Sequence, residues 1–517
     1  MRAARPIGIL TILNIAGALA SVLTSVVIAH YFGTTRAVEV FFAASTLQAL
    51  LGSLTQTGQV AEIFLPLYHR LKYAHGLKAA QEAFSVVLNW MILVVVMASG
   101  ALWFFAPVFI RLLVPGFAEK DHLLGAQIFR VLVPLVSAQV AVSLVQTLSN
   151  AEGWFGKPES VTVLGRFVIL VSLWALARPL GVWAIVVSLW IGQGCEVVGY
   201  VIVLWRMGYR HRLRLYHEHF RVSWVFGRLS VTLSYVAATQ VYAFALNAGL
   251  SLLPQGVYAV FRYVQQLYSK TNAILLRPVS VVFFSKFSEA LAEGRQDVAI
   301  IARKALIGCL VISAAVVSAL AIGGKPLLGG LWGGHRFPIP QIELAAQLLS
   351  FLYLLMVPAS LGLIARKAAM SLGIVARTYV AAALCQLACA GAARTLIGPL
   401  GIAGAMLTVA VNETLLAAAP VVMVSLRNRR GVLSYPWRAL WRWAAASGAS
   451  VLVAHYLFLA IGIGSATGRA MQFLWALCGG GSAAILTFAV AYLLDADGAR
   501  EVVTTLVARM RLPARFA

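Results

Sequence analysis

The chain has 517 residues, of which 61% are hydrophobic and 11% charged, and its mean hydropathy is +0.87. A soluble domain is nearer half apolar and a quarter charged, so this composition excludes a water-compatible surface and points to a membrane protein. The net charge of +24 comes from basic residues dispersed over loop ends. It reads as membrane topology and contact with anionic inner-leaflet lipids, and no nucleic-acid partner is expected.

Continuous apolar runs, rather than alternating ones, predict helices and exclude a spanning β-barrel. In chain order the predicted spans are 7–31, 38–67, 82–110, 124–148, 160–177, 181–205, 225–252, 256–284, 301–323, 341–365, 375–395, 400–425, 440–463 and 470–494. Arg2, Arg5 and Ala18-Leu19-Ala20 imitate a signal peptide, but the first apolar run continues to about Tyr31 and reads as an uncleaved helix. Basic residues then fill every second gap. They are Arg70, Lys72 and Lys78; Arg206, Arg210, Arg212, Arg214 and Arg221; Lys286, Arg295, Arg303 and Lys304; Arg366, Lys367 and Arg377; and Arg427, Arg429, Arg430 and Arg438. The alternate gaps are nearly bare, with Arg36, Lys120, Arg178, Lys325, Arg336, Arg394 and Arg469 spread thinly among them. This asymmetry predicts a cytoplasmic (inner) membrane protein with both termini in the cytoplasm. The tail 495–517, with Arg500, Arg509, Arg511 and Arg515, is expected to form an amphipathic helix on the inner leaflet.

An internal repeat is visible. Pro179-Leu180-Gly181 opens the sixth span and Pro399-Leu400-Gly401 the twelfth, and each of those spans carries an acid, Glu196 or Glu413. The polar second and eighth spans share the same offset. The fold class expected is therefore all-α: a polytopic helical bundle of about fourteen spans, as two parallel six-helix repeats plus two C-terminal helices. The domain boundaries expected are 1–222, 223–430, 431–494 for the added helices, and 495–517 for the tail. Parallel repeats place a substrate site where they meet, near the midplane.

Polar groups at membrane depth are costly and normally face a cavity or another helix. The second span holds Gln48, Gln56 and Glu62; the eighth holds Arg262, Gln265, Gln266, Lys270, Asn272 and Arg277. Arg262, Gln266, Lys270 and Arg277 fall on one helical stripe, which suits an anionic ligand. The alternative is that the arginines snorkel to the interfaces and Lys270 pairs with Glu39 or Glu62. Glu39, Glu62, Glu196 and Glu413 are the acids expected at depth, and hence candidates for coupling or gating or for ion pairs between helices. Gln240 and Asn247 read as interhelical hydrogen-bonding groups.

Cys195, Cys309, Cys385, Cys389 and Cys478 lie in apolar segments and read as packing residues. No metal site is expected; His211, His217 and His219 read as part of a solvated basic loop. No catalytic motif is present, so the chain is read as a transporter rather than an enzyme.

Several short motifs carry a resemblance: His30-Tyr31-Phe32-Gly33, Glu39-Val40-Phe41-Phe42, Phe64-Leu65-Pro66, Leu113-Val114-Pro115-Gly116-Phe117 and Gly256-Val257-Tyr258-Ala259. Together with the repeat they make the chain resemble the MurJ/MviN family, lipid II flippases of the multidrug/oligosaccharidyl-lipid/polysaccharide exporter superfamily. The resemblance implies a V-shaped bundle that rocks its halves to move a polyprenyl-pyrophosphate-linked saccharide, with the last two helices forming a groove for the lipid tail. It also implies essential arginines at positions that are Ala18, Thr24, Gly52 and Gln266 here, while Glu39 matches a family aspartate. Either other cations hold the phosphate, with Lys270 and Arg262 one turn to either side of Gln266, or the cargo is another surface-polysaccharide precursor.

The expected function is thus a lipid-linked saccharide flippase working by alternating access. The alternative is a multidrug-type small-molecule cation antiporter. No cofactor is expected; membrane potential, a proton or a sodium ion are the candidate energy sources. A monomer is expected, with glycosyltransferases as candidate associates.

Overall fold

A computed structural model describes residues 4–55, 57–154, 156–218, 223–293, 298–427, 437–460, 468–496 and 498–499. Side chains are described for all of these except 4–11, 57–59, 61–63, 223–231, 277, 292, 427, 437, 458–460 and 470. Among the described residues regular structure is helical, apart from one isolated bridge between Gly334 and Phe337. Among the described residues ten helical stretches are long and apolar enough to cross a membrane, which agrees with the polytopic helical bundle expected from the sequence. The chain forms two compact units, Met1–Ala259 and Val260–Ala517.

The first unit contains α1 (Ala4–Phe32), α2 (Arg36–Leu54), α3 (Thr57–Phe104), α4 (Ala106–Leu113), α5 (Glu119–Leu132), α6 (Leu135–Ala151), α7 (Gly156–Leu180), α8 (Trp183–Arg206) and α9 (Ser223–Ser251). α7 packs between α1 and α8, α3 lies on α6, and α2 lies on α5. Glycines set the close approaches. A Cβ on Gly199 would meet Val161 Cγ1 at 2.5 Å, and one on Gly192 would meet Ile169 Cδ1 at 2.8 Å. Helices in lipid gain by such close packing of backbones, because lipid offers no hydrophobic drive for association.

α10 (Val257–Ala292) begins at the end of the first unit. The second unit continues with α11 (Val298–Trp332), α12 (Ile339–Leu354), α13 (Met356–Ser371), α14 (Val375–Arg427), α15 (Trp437–Ala460) and α16 (Arg469–Leu493). α11 is its centre and packs on α12, α13, α15 and α16. Gly480 of α16 would place a Cβ 2.8 Å from the Ala319 carbonyl oxygen, and Gly323 of α11 one 2.7 Å from that of Ala476. Trp443, Ala439 and Ala446 of α15 join Val311 and Ala314 of α11 and Ala491 of α16 in a buried cluster.

Proline explains where single predicted spans become two helices. Pro134 separates α5 from α6, and Pro358 removes the donor that would reach the Leu354 carbonyl, where α12 ends. Pro107 likewise cannot serve the Trp103 carbonyl; Arg130 Nε donates to that oxygen instead at 3.2 Å. Such freed groups must find partners in a bilayer.

The internal repeat reappears in backbone geometry. Gly153 and Gly373, 220 residues apart, take φ +80° and +70°, and Gly181 and Gly401 take +56° and +60°. At the first pair the Trp154 N–H donates to Ser149 O (2.8 Å) and the Ile374 N–H to Ala369 O (3.1 Å). Both are Schellman closures, which glycine alone enters without penalty.

Candidate functional site

Glu39 lies in the first turn of α2 and is fully buried. Its Oε1 accepts the Gly256 N–H (2.8 Å) and the Ala259 N–H (3.3 Å), so it caps the start of α10. Arg36 pairs with its Oε2 at 2.9 Å and approaches Asp121 Oδ2 at 3.8 Å. The Val114-Pro115-Gly116-Phe117 motif builds the wall beside it. Gly116 N–H donates to Ser251 Oγ (3.1 Å), and a Cβ there would sit 2.9 Å from Leu252 Cα. The Arg36 guanidinium covers the Phe117 ring at 4.5 Å, and that ring meets Tyr258 edge-on at 5.8 Å. Tyr258 donates to Asn247 Oδ1 at 2.8 Å, joining α9 to α10 as interhelical hydrogen bonding predicts. The structure thus places Glu39 at a helix junction with Arg36 as its partner.

α10 carries the predicted polar run along one continuous helix. Arg262, Gln265, Gln266, Lys270 and Asn272 are all half-buried. Arg262 Nη1 donates to Gln265 Oε1 at 2.6 Å, which orients the guanidinium along the helix. One turn on, Tyr268 stands edge-on to Tyr353 at 5.4 Å and lies beside Asn272, within electrostatic reach of Glu413. Next to Arg262 in sequence, Tyr263 joins Trp332 and Phe337 in an aromatic cluster, all nearly fully buried. Toward the other end, a cavity of about 760 Å³ lies between α10 and α11, lined by Val279, Val282, Phe283, Ile300 and Ile301 with Lys286, Glu289 and Lys304.

Gln48 is buried in α2. Gln56 and the side chains of Glu62 and Arg277 lie outside the described residues, as does the tail 500–517. Among the described residues no group of three His, Cys, Asp or Glu could hold a metal ion.

Three arrangements escaped the sequence reading. Arg166 sits inside the apolar fifth span, where attention to the gaps between spans passes it over. At the basic ends of the spans, Glu152 accepts from Lys72 Nζ (2.8 and 2.9 Å) and Tyr68 Oη (2.6 Å). Partial burial pushes this carboxyl up, but those bonds outweigh it and hold the group below the usual carboxylate range. Third, the segment 209–215 runs along α3. Asn89 Nδ2 donates to the carbonyls of Arg212 and Arg214 (both 2.9 Å), and Trp90 Nε1 donates to that of Leu215 (2.9 Å). Glu82 pairs with Arg212 (2.5 Å) and Arg214 (3.4 Å). Burial pushes the Tyr209 hydroxyl up to about 12 and holds His211 below its usual range.

The sequence signature of the family described as "Lipid II flippase MurJ" matches residues 28–478. Among solved structures, "Lipid II flippase MurJ, inward closed conformation" superposes with a TM-score of 0.76 at 13% identity, covering 96% of this chain and 99% of that one. An inward-facing multidrug resistance MATE family transporter of the MOP superfamily gives 0.64 at 13% identity, covering 81% and 98%. A MOP superfamily transporter from Pyrococcus furiosus, described by a reversed polarity of its binding pocket, gives 0.57 at 15% identity, covering 82% and 95%.

Proposed function

The chain belongs to the lipid II flippase MurJ family, and from that premise we propose that its cargo is a polyprenyl-pyrophosphate-linked saccharide. It is a multi-pass membrane transporter of the lipid-linked precursor class. In this reading it works by alternating access in the bacterial cytoplasmic membrane, with both termini in the cytoplasm. The observation that carries the reading is the polar run from Arg262 to Asn272 on a helix of 36 residues, in a chain that matches the family over most of its length. A pyrophosphate needs cations and water around it, because its bare desolvation would be prohibitive. Lys270 and Arg262 supply positive charge one turn to either side of Gln266.

The absence of arginine at Ala18, Thr24, Gly52 and Gln266 favours a surface-polysaccharide precursor over lipid II as the cargo. Glu39 is assigned to gating, since it ties the first turn of α2 to the first turn of α10. Gln48, Gln56, Gln265, Asn272 and Arg277 are assigned to the cargo path, and Glu62 to coupling. Membrane potential drives the cycle at about 2.3 kcal/mol per charge per 100 mV, or a proton or sodium ion does so through a carboxylate. The cavity beside Lys286 and Lys304 suits an anionic inner-leaflet lipid.

The antiporter alternative shares the fold at lower similarity, but a cationic run has the wrong sign for a cationic drug. The test is movement of a lipid-linked saccharide across proteoliposomes. Flipping of a non-peptidoglycan precursor with little flipping of lipid II supports the cargo assignment; flipping of lipid II alone overturns it.

A further inference from the structure

α7 carries a single arginine within its apolar length. Arg166 lies about 15 Å along the axis from the first residue of a 25-residue helix, at 1.5 Å per residue, and so near the middle of a span. The lipid-facing row of the same helix is Leu164, Phe167, Val171 and Trp174, all well exposed, while Arg166 is half-buried. Its guanidinium lies on α1 at Gly17: a Cβ there would be 2.6 Å from Arg166 Nη1 and 3.5 Å from its Cζ. Glycine therefore forms the seat. On the neighbouring flank of α7, the Glu196 carboxylate of α8 rests on Gly165, where a Cβ would be 2.7 Å from Oε1.

Glu196 is within electrostatic reach of Arg166, yet the two form no ion pair. Among the described residues Arg166 makes no hydrogen bond or ion pair at all. A guanidinium has five donors and keeps its charge in any protein site. At membrane depth such donors require water, a ligand or a protein partner. The surface it lies on is polar and small: Asn14, Gly17, Ser21 and Ser25 follow one another at three- and four-residue steps along one face of α1.

We propose that Arg166, seated on Gly17 with Asn14 and Ser21 one turn to either side, forms an anion-binding position in the first unit that takes the pyrophosphate of the lipid-linked cargo. It rests on the functional reading above for the identity of the anion. The cation comes from α7, and glycine on α1 makes room for it. Glu196 tempers the site: a nearby carboxylate keeps the guanidinium from holding the phosphate too tightly to release it.

The competing explanation is a brace, in which a rotamer change pairs Arg166 with Glu196 across α7 and α8. Binding of polyprenyl pyrophosphate and of the polyprenyl alcohol of equal length to the full-length protein in detergent separates the two. Arg166→Gln is expected to weaken pyrophosphate binding about tenfold, as loss of a charge-assisted contact does, and to leave the alcohol unchanged. Gly17→Val, which fills the seat while keeping the arginine, should do the same. Arg166→Lys should retain part of the affinity and serves if the glutamine variant fails to fold. Glu196→Gln should bind pyrophosphate as tightly as the parent or more tightly. Unchanged pyrophosphate binding in both Arg166→Gln and Gly17→Val overturns the proposal, as does an equal loss in Glu196→Gln, which marks a brace. Arg166-dependent pyrophosphate binding without flipping of any saccharide would sink the functional reading and leave this site standing. Flipping by the parent that Arg166→Gln does not slow would do the reverse.

Discussion

Two charged regions of the first unit are built on opposite principles. Around Glu39 the charges are paired: two backbone N–H groups meet Oε1, Arg36 forms an ion pair with Oε2, and Arg36 in turn meets Phe117 and approaches Asp121. Around Arg166 the guanidinium has a seat but, among the described residues, no hydrogen bond or ion pair. In a low-dielectric setting a satisfied network rigidifies, whereas an unsatisfied one is a demand for something absent. The first region therefore reads as a fastening and the second as a place for cargo. Substitutions at the first should be felt foremost in stability, and in gating through the lost fastening; at the second and the α10 run they should be felt in transport.

The largest effect is expected at Glu39. Glu39→Ala removes the acceptor of two N–H groups and strands Arg36, which should lower stability by about 3 kcal/mol. Thermal unfolding in detergent reads this directly; an unchanged midpoint would break the distinction. Lys270→Ala should slow flipping about tenfold through loss of a charge-assisted cargo contact. Equal rates for this variant and the parent would remove Lys270 from the cargo path. Asn247→Ala deletes the acceptor of Tyr258 and should destabilise by about 1 kcal/mol while sparing substrate affinity.

The smallest effect is expected at Glu152, whose half-exposed ion pair with Lys72 is worth up to about 1 kcal/mol. Its carboxyl is held below the ordinary range in the folded protein. The stabilisation is therefore fully present above the ordinary carboxylate value of about 4.3 and is lost as pH falls through the lower folded value. Glu152→Gln should be less stable than the parent at pH 7, and the gap should close in acid. A gap that widens in acid would reverse the sign assigned to this carboxyl.

Much of the fold is legible in the chain because lipid imposes a strict code. Apolar length marks each span, and the Pro-Leu-Gly pairs do mark turns, since Gly181 and Gly401 both adopt positive φ. The breaks at Pro134 and Pro358 were also written there, but hydropathy averages over them. The helix from Thr57 to Phe104 crosses a gap expected to be loop and interrupts only at Gly76, with φ +85°. Polar residues such as Lys72 and Gln81 are good helix formers, so charge marks the membrane edge without ending the helix. The site is less legible. Glu39 was identifiable as an acid near a span, but its partners depend on a helix end more than 200 residues away. Arg166 was hidden by its apolar neighbours, and its meaning depends on Gly17 of another helix.

Reconstitution of the purified parent protein with a fluorescent polyprenyl-pyrophosphate-linked saccharide tests the central claim most directly. Headgroup movement well above that of protein-free vesicles, without export of cationic drugs, is the expected result. Vesicles that export cationic drugs and leave the saccharide in its original leaflet would contradict it.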